Sequence, residues 1–239
     1  MLGRFLEYSV QSADIPRSLE FYERLGFTQA RVNDAWSHAY AVVTDGRLCI
    51  GLHADAPAEA CLTFVRADIL RQMTRLEESG IEITQRRLGN AEFNEIAFAD
   101  PGGMLVRLIE ARSFSPSDRK PNDFSTCGYF EQIALPSPDP ATAMRFWEDQ
   151  GFVGMEEAGG MLPHISCTSD HVDLGLYASE RLREPMLVFE ADDIHTRLAR
   201  LATAGLEPEP SLPAALRGLS AALYRAPEGT LVLVRGLTD

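Results

Sequence analysis

The chain repeats itself at a spacing of 125 residues, and that repeat constrains its fold more than any other feature. Asp14-Ile15-Pro16, Phe21-Tyr22 and Gly26-Phe27 return as Asp139-Pro140, Phe146-Trp147 and Gly151-Phe152. The stretch LTFVRADI beginning at Leu62 returns as LVFEADDI beginning at Leu187, and Gly80 returns as Gly205, each 125 further on. Toward the end the spacing slips by one, so that Pro101 and Gly103 match Pro227 and Gly229. This period is too long for a solenoid unit of about 20–50 residues, so it reads as two copies of a domain-sized unit.

At 239 residues and 45% hydrophobic, the chain can bury a substantial core, removing about 70–75% of its unfolded surface from water. There is no apolar run near 18 residues, so no transmembrane helix is expected. The first residues, MLGRFLEYSVQSAD, lack the apolar stretch of a signal peptide, so the expected location is cytoplasmic. Cys49, Cys61, Cys127 and Cys167 show no CxxC spacing and read as buried thiols in a reducing compartment. The net charge of −13 argues against nucleic acid, which requires a basic footprint. An acidic surface either steers a cationic ligand or simply keeps the protein in solution.

Each unit reads as strand, helix and further strands, twice over. Residues 5–10 alternate and lead to Asp14, a helix N-cap, with Pro16 in the first turn. Ile15, Leu19, Tyr22 and Leu25 form one apolar face, and Gly26 is the left-handed stop. Strands at 38–44 and 47–53 flank Asp45-Gly46, a two-residue hairpin signal. A strand at 62–66 leads to a helix from Asp68 to Gly80; strands follow near 81–86, 94–99 and 104–109. The second unit has its strand at 130–135, a helix at 141–150, two strands within 163–177, a strand at 187–190, a helix ending at Gly205, and two strands flanking the turn at 226–229. The expected organisation is four βαβββ modules, an α+β fold. Unit 1 spans residues 1–112 (modules 1–55 and 56–112). A Ser-, Pro- and Asp-rich linker occupies 113–126, and unit 2 spans 127–239 (modules 127–180 and 181–239).

Two marks carry a resemblance: the run from Asp14 to Tyr22 followed by Leu25-Gly26-Phe27, and Asp100-Pro101-Gly102-Gly103 followed by LVRLIE. Together they resemble the vicinal oxygen chelate superfamily, which includes glyoxalase I, extradiol dioxygenases, fosfomycin-resistance enzymes and bleomycin-resistance proteins. The resemblance implies paired modules curling a mixed sheet around a cleft, with helices outside. Members pair modules both within and between two-module units, so the pairing stays open, as does a monomer against a homodimer.

Metal-dependent members carry His, Glu or Gln ligands at four strand positions. Counting from the helix caps and turns gives Glu7, Gly51, Leu62 and Arg107 in one unit, and Gln132, Gly175, Leu187 and Leu233 in the other. A divalent ion needs three or four converging N, O or S donors. Glycine and leucine offer none, and a guanidinium repels the ion. No metal and no cofactor are expected in either cleft.

Other residues remain available. Strand alternation puts Glu7 and Ser9 on one face and His53 on the face of Gly51 and Cys49. Glu7, His38 and His53 could rebuild a site, or the histidines could be ordinary strand-end residues. His38 and His164 fall near equivalent places in the two units, while His171 and His195 read as exposed. Arg107 either pairs with a carboxylate such as Glu7 or holds an anionic or carbonyl group of a ligand. Trp36 reads as a cleft-mouth or core-capping residue, and Trp147 as structural. Leu62, Phe64, Leu187, Phe189, Leu231 and Leu233 are expected to line an apolar pocket, unless they close the sheets completely. The chain has no nucleophile elbow, P-loop or dinucleotide fingerprint. Three functions follow. The first is a metal-free protein that sequesters a small organic molecule, cationic if the acidic balance counts. The second is a lyase, isomerase or epimerase on a carbonyl compound, with Glu7 as acid or base or with an ion held by unfamiliar ligands. The third is a regulatory or scaffold protein with no ligand chemistry.

Overall fold

The computed structural model describes residues 1–31, 38–55, 57–89, 94–111, 125–157 and 163–237. In the first half the order is β1 (Arg4–Gln11), α1 (Ile15–Arg24), β2 (Thr28–Ala30), β3 (Tyr40–Thr44), β4 (Cys49–His53), β5 (Cys61–Arg66), α2 (Ile69–Glu78), β6 (Gln85–Arg87), β7 (Glu95–Ala99) and β8 (Leu105–Glu110). The second half follows with β9 (Tyr129–Ser137), α3 (Pro140–Asp149), β10 (Val153–Glu157), β11 (His164–Thr168), β12 (Asp173–Ala178), β13 (Met186–Ala191), α4 (Ile194–Thr203), a short 3₁₀ turn (Ala214–Leu216), β14 (Ala221–Arg225) and β15 (Leu231–Gly236).

The strands form two mixed sheets, ordered β2-β3-β4-β1-β5-β8-β7-β6 and β10-β11-β12-β9-β13-β15-β14. Each sheet joins two consecutive modules through their first strands. β1 runs antiparallel to β5 and β9 antiparallel to β13, so the pairing is within each unit. Three modules are βαβββ. The fourth lacks the strand after its helix and carries the 3₁₀ turn there instead. β2 and β10, not expected from the sequence, are short edge strands with largely exposed side chains, Val153 and Met155 among them. The turn after β3 is longer than the two-residue hairpin expected, because the Asp45 carboxylate accepts from the backbone N–H groups of both Arg47 and Leu48.

Helix starts follow the sequence. The Asp14 carboxylate accepts from Arg17 N, and Asp139 from Ala141 N and Thr142 N, satisfying otherwise orphaned N–H groups. Gly26 (φ 89°) stops α1. A Cβ there would lie 2.6 Å from the backbone nitrogen of Thr126, which donates to Leu25 O at 2.9 Å. Only glycine suits both the dihedral and that approach.

The helices cover the outer faces of the sheets, and the apolar side chains of both halves merge into one core there. The packing is crosswise. From α1, Tyr22 is fully buried and donates to Glu228 in the β14–β15 turn, and just beyond the helix Phe27 meets Phe189 of β13 with ring centroids 5.9 Å apart. From α3, fully buried Trp147 donates to Asp100 in the β7–β8 turn at 3.2 Å, and Phe146 meets Phe98 of β7. Trp147 is thus a structural residue. The four cysteines form no disulfide with one another, and only Cys49 is not buried. Among the described residues no helix is long and apolar enough to cross a membrane.

Candidate functional site

The concave face of the first sheet holds a continuous polar network. Strand register builds it: Glu7 on β1 lies opposite Thr63 on β5, and Thr63 lies beside Arg107 on β8. On the other side Ser9 pairs with Gly51 and Gln11 with His53 on β4, and His53 lies opposite Tyr40 on β3. Glu7, Ser9, His53 and Thr63 are all fully buried, with Arg107 nearly so. His38 and Tyr40 are partly exposed.

The hydrogen bonds have one direction. Ser9 donates to Glu7 Oε1 at 2.7 Å, so its contact with Thr63, also 2.7 Å, must be one it accepts. Thr63 in turn accepts from Arg107 Nε at 3.2 Å, and Arg107 also donates to Ser9 at 3.1 Å. Tyr40 donates to Glu7 Oε2, and His53 Nε2 lies 2.8 Å from Glu7 Oε1. Nε2 of His38 is 3.0 Å from Nδ1 of His53. Cys61 touches Thr63 at 3.5 Å. Burial alone pushes the Glu7 carboxyl up, but the bonds and charge of His53 and the hydroxyls of Tyr40 and Ser9 outweigh it and hold it below its ordinary value. Burial raises the Cys61 thiol against the pull of Arg107. For His38, burial first and then His53 lower the imidazole.

This network brings together Glu7, His38, His53 and Arg107. Arg107 reaches Glu7 through Thr63 and Ser9, a bridged version of the pairing considered from sequence. The arrangement also bears on metal binding. A Cβ at Gly51 would lie 2.2 Å from Glu7 Oε1, so the Glu7 side chain fills the space of the second ligand position. Glu7, His53 and His38 are strung in line, one on each side of the His53 ring, and do not converge on a point. Among the described residues no group of three or more His, Cys, Asp or Glu could hold an ion. With a guanidinium at the fourth position, the donor set does not fit a divalent metal.

Four apolar residues expected in the clefts face away from them. Leu62 and Phe64, like Leu187 and Phe189, join the helix-side core. Thr63 and Val188 take the concave positions instead, Thr63 opposite Glu7 and Val188 opposite Gln132. The count back from Asp68 and Asp193 was six, whereas Glu7 stands seven before Asp14. A change of one reverses the face. The same parity, applied from Glu7 across the sheet, would have found Thr63 and Cys61. Ser9 was placed on the right face by alternation, and Tyr40 carried no motif.

In the second sheet Leu231 and Leu233 do face the concave side, with Ala134, Tyr177, Met186, Val188 and Leu223. Gln132 donates to Tyr177 at 2.8 Å and lies 3.4 Å from His164, whose ring stacks on Tyr177 at 4.7 Å. Register makes His164 the counterpart of Tyr40, not of His38. Leu212, Leu216 and Leu219, from the segment that replaces the missing strand, pack over this face. The cavity left there, lined by Tyr177, Arg181, Leu216 and Arg235 among others, measures about 20 Å³. That is room for about one water molecule, not for an organic ligand. His171 and His195 are exposed, and Trp36 lies outside the described residues.

Two curved mixed sheets with paired modules and helices on the outside define the class of fold. Residues 4–108 match the family model of the Glyoxalase/Bleomycin resistance protein/Dioxygenase superfamily. Solved structures with the same fold include homoprotocatechuate 2,3-dioxygenase from Brevibacterium fuscum (14% identity, TM-score 0.61, covering 99% of this chain and 71% of that one). Another is a catechol 2,3-dioxygenase (15% identity, TM-score 0.58, 99% and 87%). No curated protein sequence matches the chain. The match to that superfamily thus covers residues 4–108, and the second half of the chain repeats the sequence marks and the sheet architecture of that part.

Proposed function

We propose that the concave face of the first sheet is a metal-free site for a small polar organic molecule, and that the second sheet is its filled, structural counterpart. The observation that carries this reading is the Glu7 carboxylate: buried, lying over Gly51, and bonded by three side chains that leave it no role as a metal ligand. A ligand would meet the partly exposed His38 and Tyr40 first, with the charge of Arg107 behind them. The dioxygenases named above share the fold at 14–15% identity, and their ring cleavage does not carry over to this donor set. The reading favours sequestration or proton transfer over metal-dependent lyase or dioxygenase chemistry.

The test is a thermal-shift screen of small carbonyl compounds and cationic organic compounds on protein purified without chelator and assayed for metals. A ligand at about 100 times its dissociation constant adds about 2.7 kcal/mol. The shift should vanish in His38→Gln and Tyr40→Phe and persist in His164→Gln. Stoichiometric metal in the purified protein, or a shift lost only in the His164 variant, would refute the proposal.

A further inference from the structure

Resting on the reading of the first sheet's concave face as a ligand site, we infer that Glu228 of the second half is a positioning residue for that site, acting on His53 through Ser18 and Ser12. The contacts run without a gap. Glu228 stands in the β14–β15 turn and accepts from Ser18 Oγ at 2.7 Å and from the hydroxyl of Tyr22, both on α1. Ser18 has one hydroxyl proton, and it goes to Glu228, so in its 2.9 Å contact with Ser12 it must accept. Ser12 follows β1 directly, and its backbone N–H donates at 2.8 Å to the carbonyl of His53, the last residue of β4. The next amide, Ala54, donates at 3.0 Å to the carbonyl of Ala39, which lies between His38 and Tyr40. The chain thus ends on the backbone that carries three side chains of the site.

The 125-residue repeat supplies a control. Ser12 returns as Ser137 and Ser18 as Ala143, while Glu228, with the one-residue slip, matches Gly102. In that copy the buried hydroxyl of Ser137 has no hydrogen-bond partner among the described residues, since alanine and glycine stand where the two partner groups would be. A side chain at Gly102 is excluded as well, because its Cβ would lie 2.6 Å from the carbonyl oxygen of Pro136. The hydroxyl chain is complete only where it leads to the polar face. Ser12 and Ser18 are both buried, so without Glu228 their two protons contend for too few acceptors, which is costly in a dry interior. Relief comes most easily at the end of β1. A small shift there moves the His53 carbonyl, and with it the ring that lies 2.8 Å from Glu7 and against Tyr40.

Amide hydrogen exchange and histidine ring spectra of the full chain test the coupling without a ligand. In Ser18→Ala and in Glu228→Ala the amides of Ser12 and Ala54 should exchange about tenfold faster, the size expected for one lost hydrogen bond, and the ring signals of His53 should move. The amide of Ser179, which donates to Ser137 O at 3.0 Å in the second half, should keep its rate. The double variant should exchange no faster than either single one, as required of two links in one chain. Glu228→Gln keeps one carbonyl acceptor and should show the same pattern at smaller amplitude, which also serves if Glu228→Ala does not fold. Faster exchange that includes Ser179, additive effects of the two variants, or unmoved His53 signals would each overturn the inference. A failed ligand screen would remove the binding site and leave this coupling intact, whereas a protein that binds ligand with an unmoved His53 would lose the coupling alone.

Discussion

At equivalent places on their concave faces the two sheets carry opposite chemistry. Glu7, Ser9, His53, Thr63, Arg107 and Cys61 in the first correspond by register to Gln132, Ala134, Tyr177, Val188, Leu233 and Met186 in the second. The tyrosine and histidine have even exchanged strands: Tyr40 faces His53, and His164 faces Tyr177. Glycine remains in both, because Gln132 folds over Gly175 as Glu7 folds over Gly51, each 2.2 Å from a would-be Cβ. One face keeps a negative and a positive group joined by hydroxyls. The other has neutral side chains at these positions and a roof of leucines, with Arg235 held beside them by Glu131 and Glu190. The difference teaches that the shared backbone geometry demands only a long polar side chain lying over glycine, whereas ionic chemistry has to be built by every surrounding residue.

The largest effect that would sharpen this contrast is His53→Leu, which takes from a buried carboxylate one of its three partners and should cost about 3–5 kcal/mol in urea unfolding. Tyr177→Phe in the second sheet removes one neutral hydrogen bond and should cost about 1 kcal/mol. Equal costs would erase the distinction. Next comes Leu216→Ala, expected to cost about 2–4 kcal/mol because the segment over the second sheet fills its hollow. A loss below about 0.5 kcal/mol, the size of an ordinary surface substitution, would show that the roof does not pack. Ser9→Ala should cost about 1–3 kcal/mol by stranding Thr63 and Arg107, while Ala134→Gly at the matching position has no polar partner to strand and should leave the ligand shift of the first site intact.

The smallest effect is in pH. Glu7 is held below its ordinary value of 4.5 in the folded chain, so it contributes stability that is present above that value and lost as pH falls through the folded one. His38 is lowered from 6.5, and its contribution likewise declines as pH falls below that value. Asp45 and Asp100, raised chiefly by burial, act in the opposite sense. The difference between melting curves of wild type and Glu7→Gln should therefore shrink from neutral pH toward pH 3, and a difference that grows would reverse the sign assigned to Glu7.

Much of the fold was legible because its signals are local. Asp14 and Asp139 cap helices, Gly26 and Gly151 stop them, and the 125-residue offset ties the copies together. The short edge strands were not, since TQA is only three residues long and the apolar Val153 and Met155 of VGMEE face solvent, nor was the loss of a strand in the fourth module, which depends on what packs over the sheet. In the site, Glu7, His53 and Arg107 stood out as charged or titratable residues on strands. Thr63 and Tyr40 did not, because a hydroxyl on a strand gains meaning only from its cross-strand neighbour. Leu62 and Leu187 show the same limit: a count wrong by one residue exchanges the two sides of a sheet.

The crosswise packing has a consequence for how the two halves live together. Tyr22 is sealed by the turn at Glu228, and Trp147 by the turn at Asp100, so each half supplies the other's missing wall. Severing the chain between them would leave two fragments with raw apolar backs, fit to clasp each other again but not to stand alone. The second half is thus the far side of a brace, packed through its turns and apolar side chains against the first.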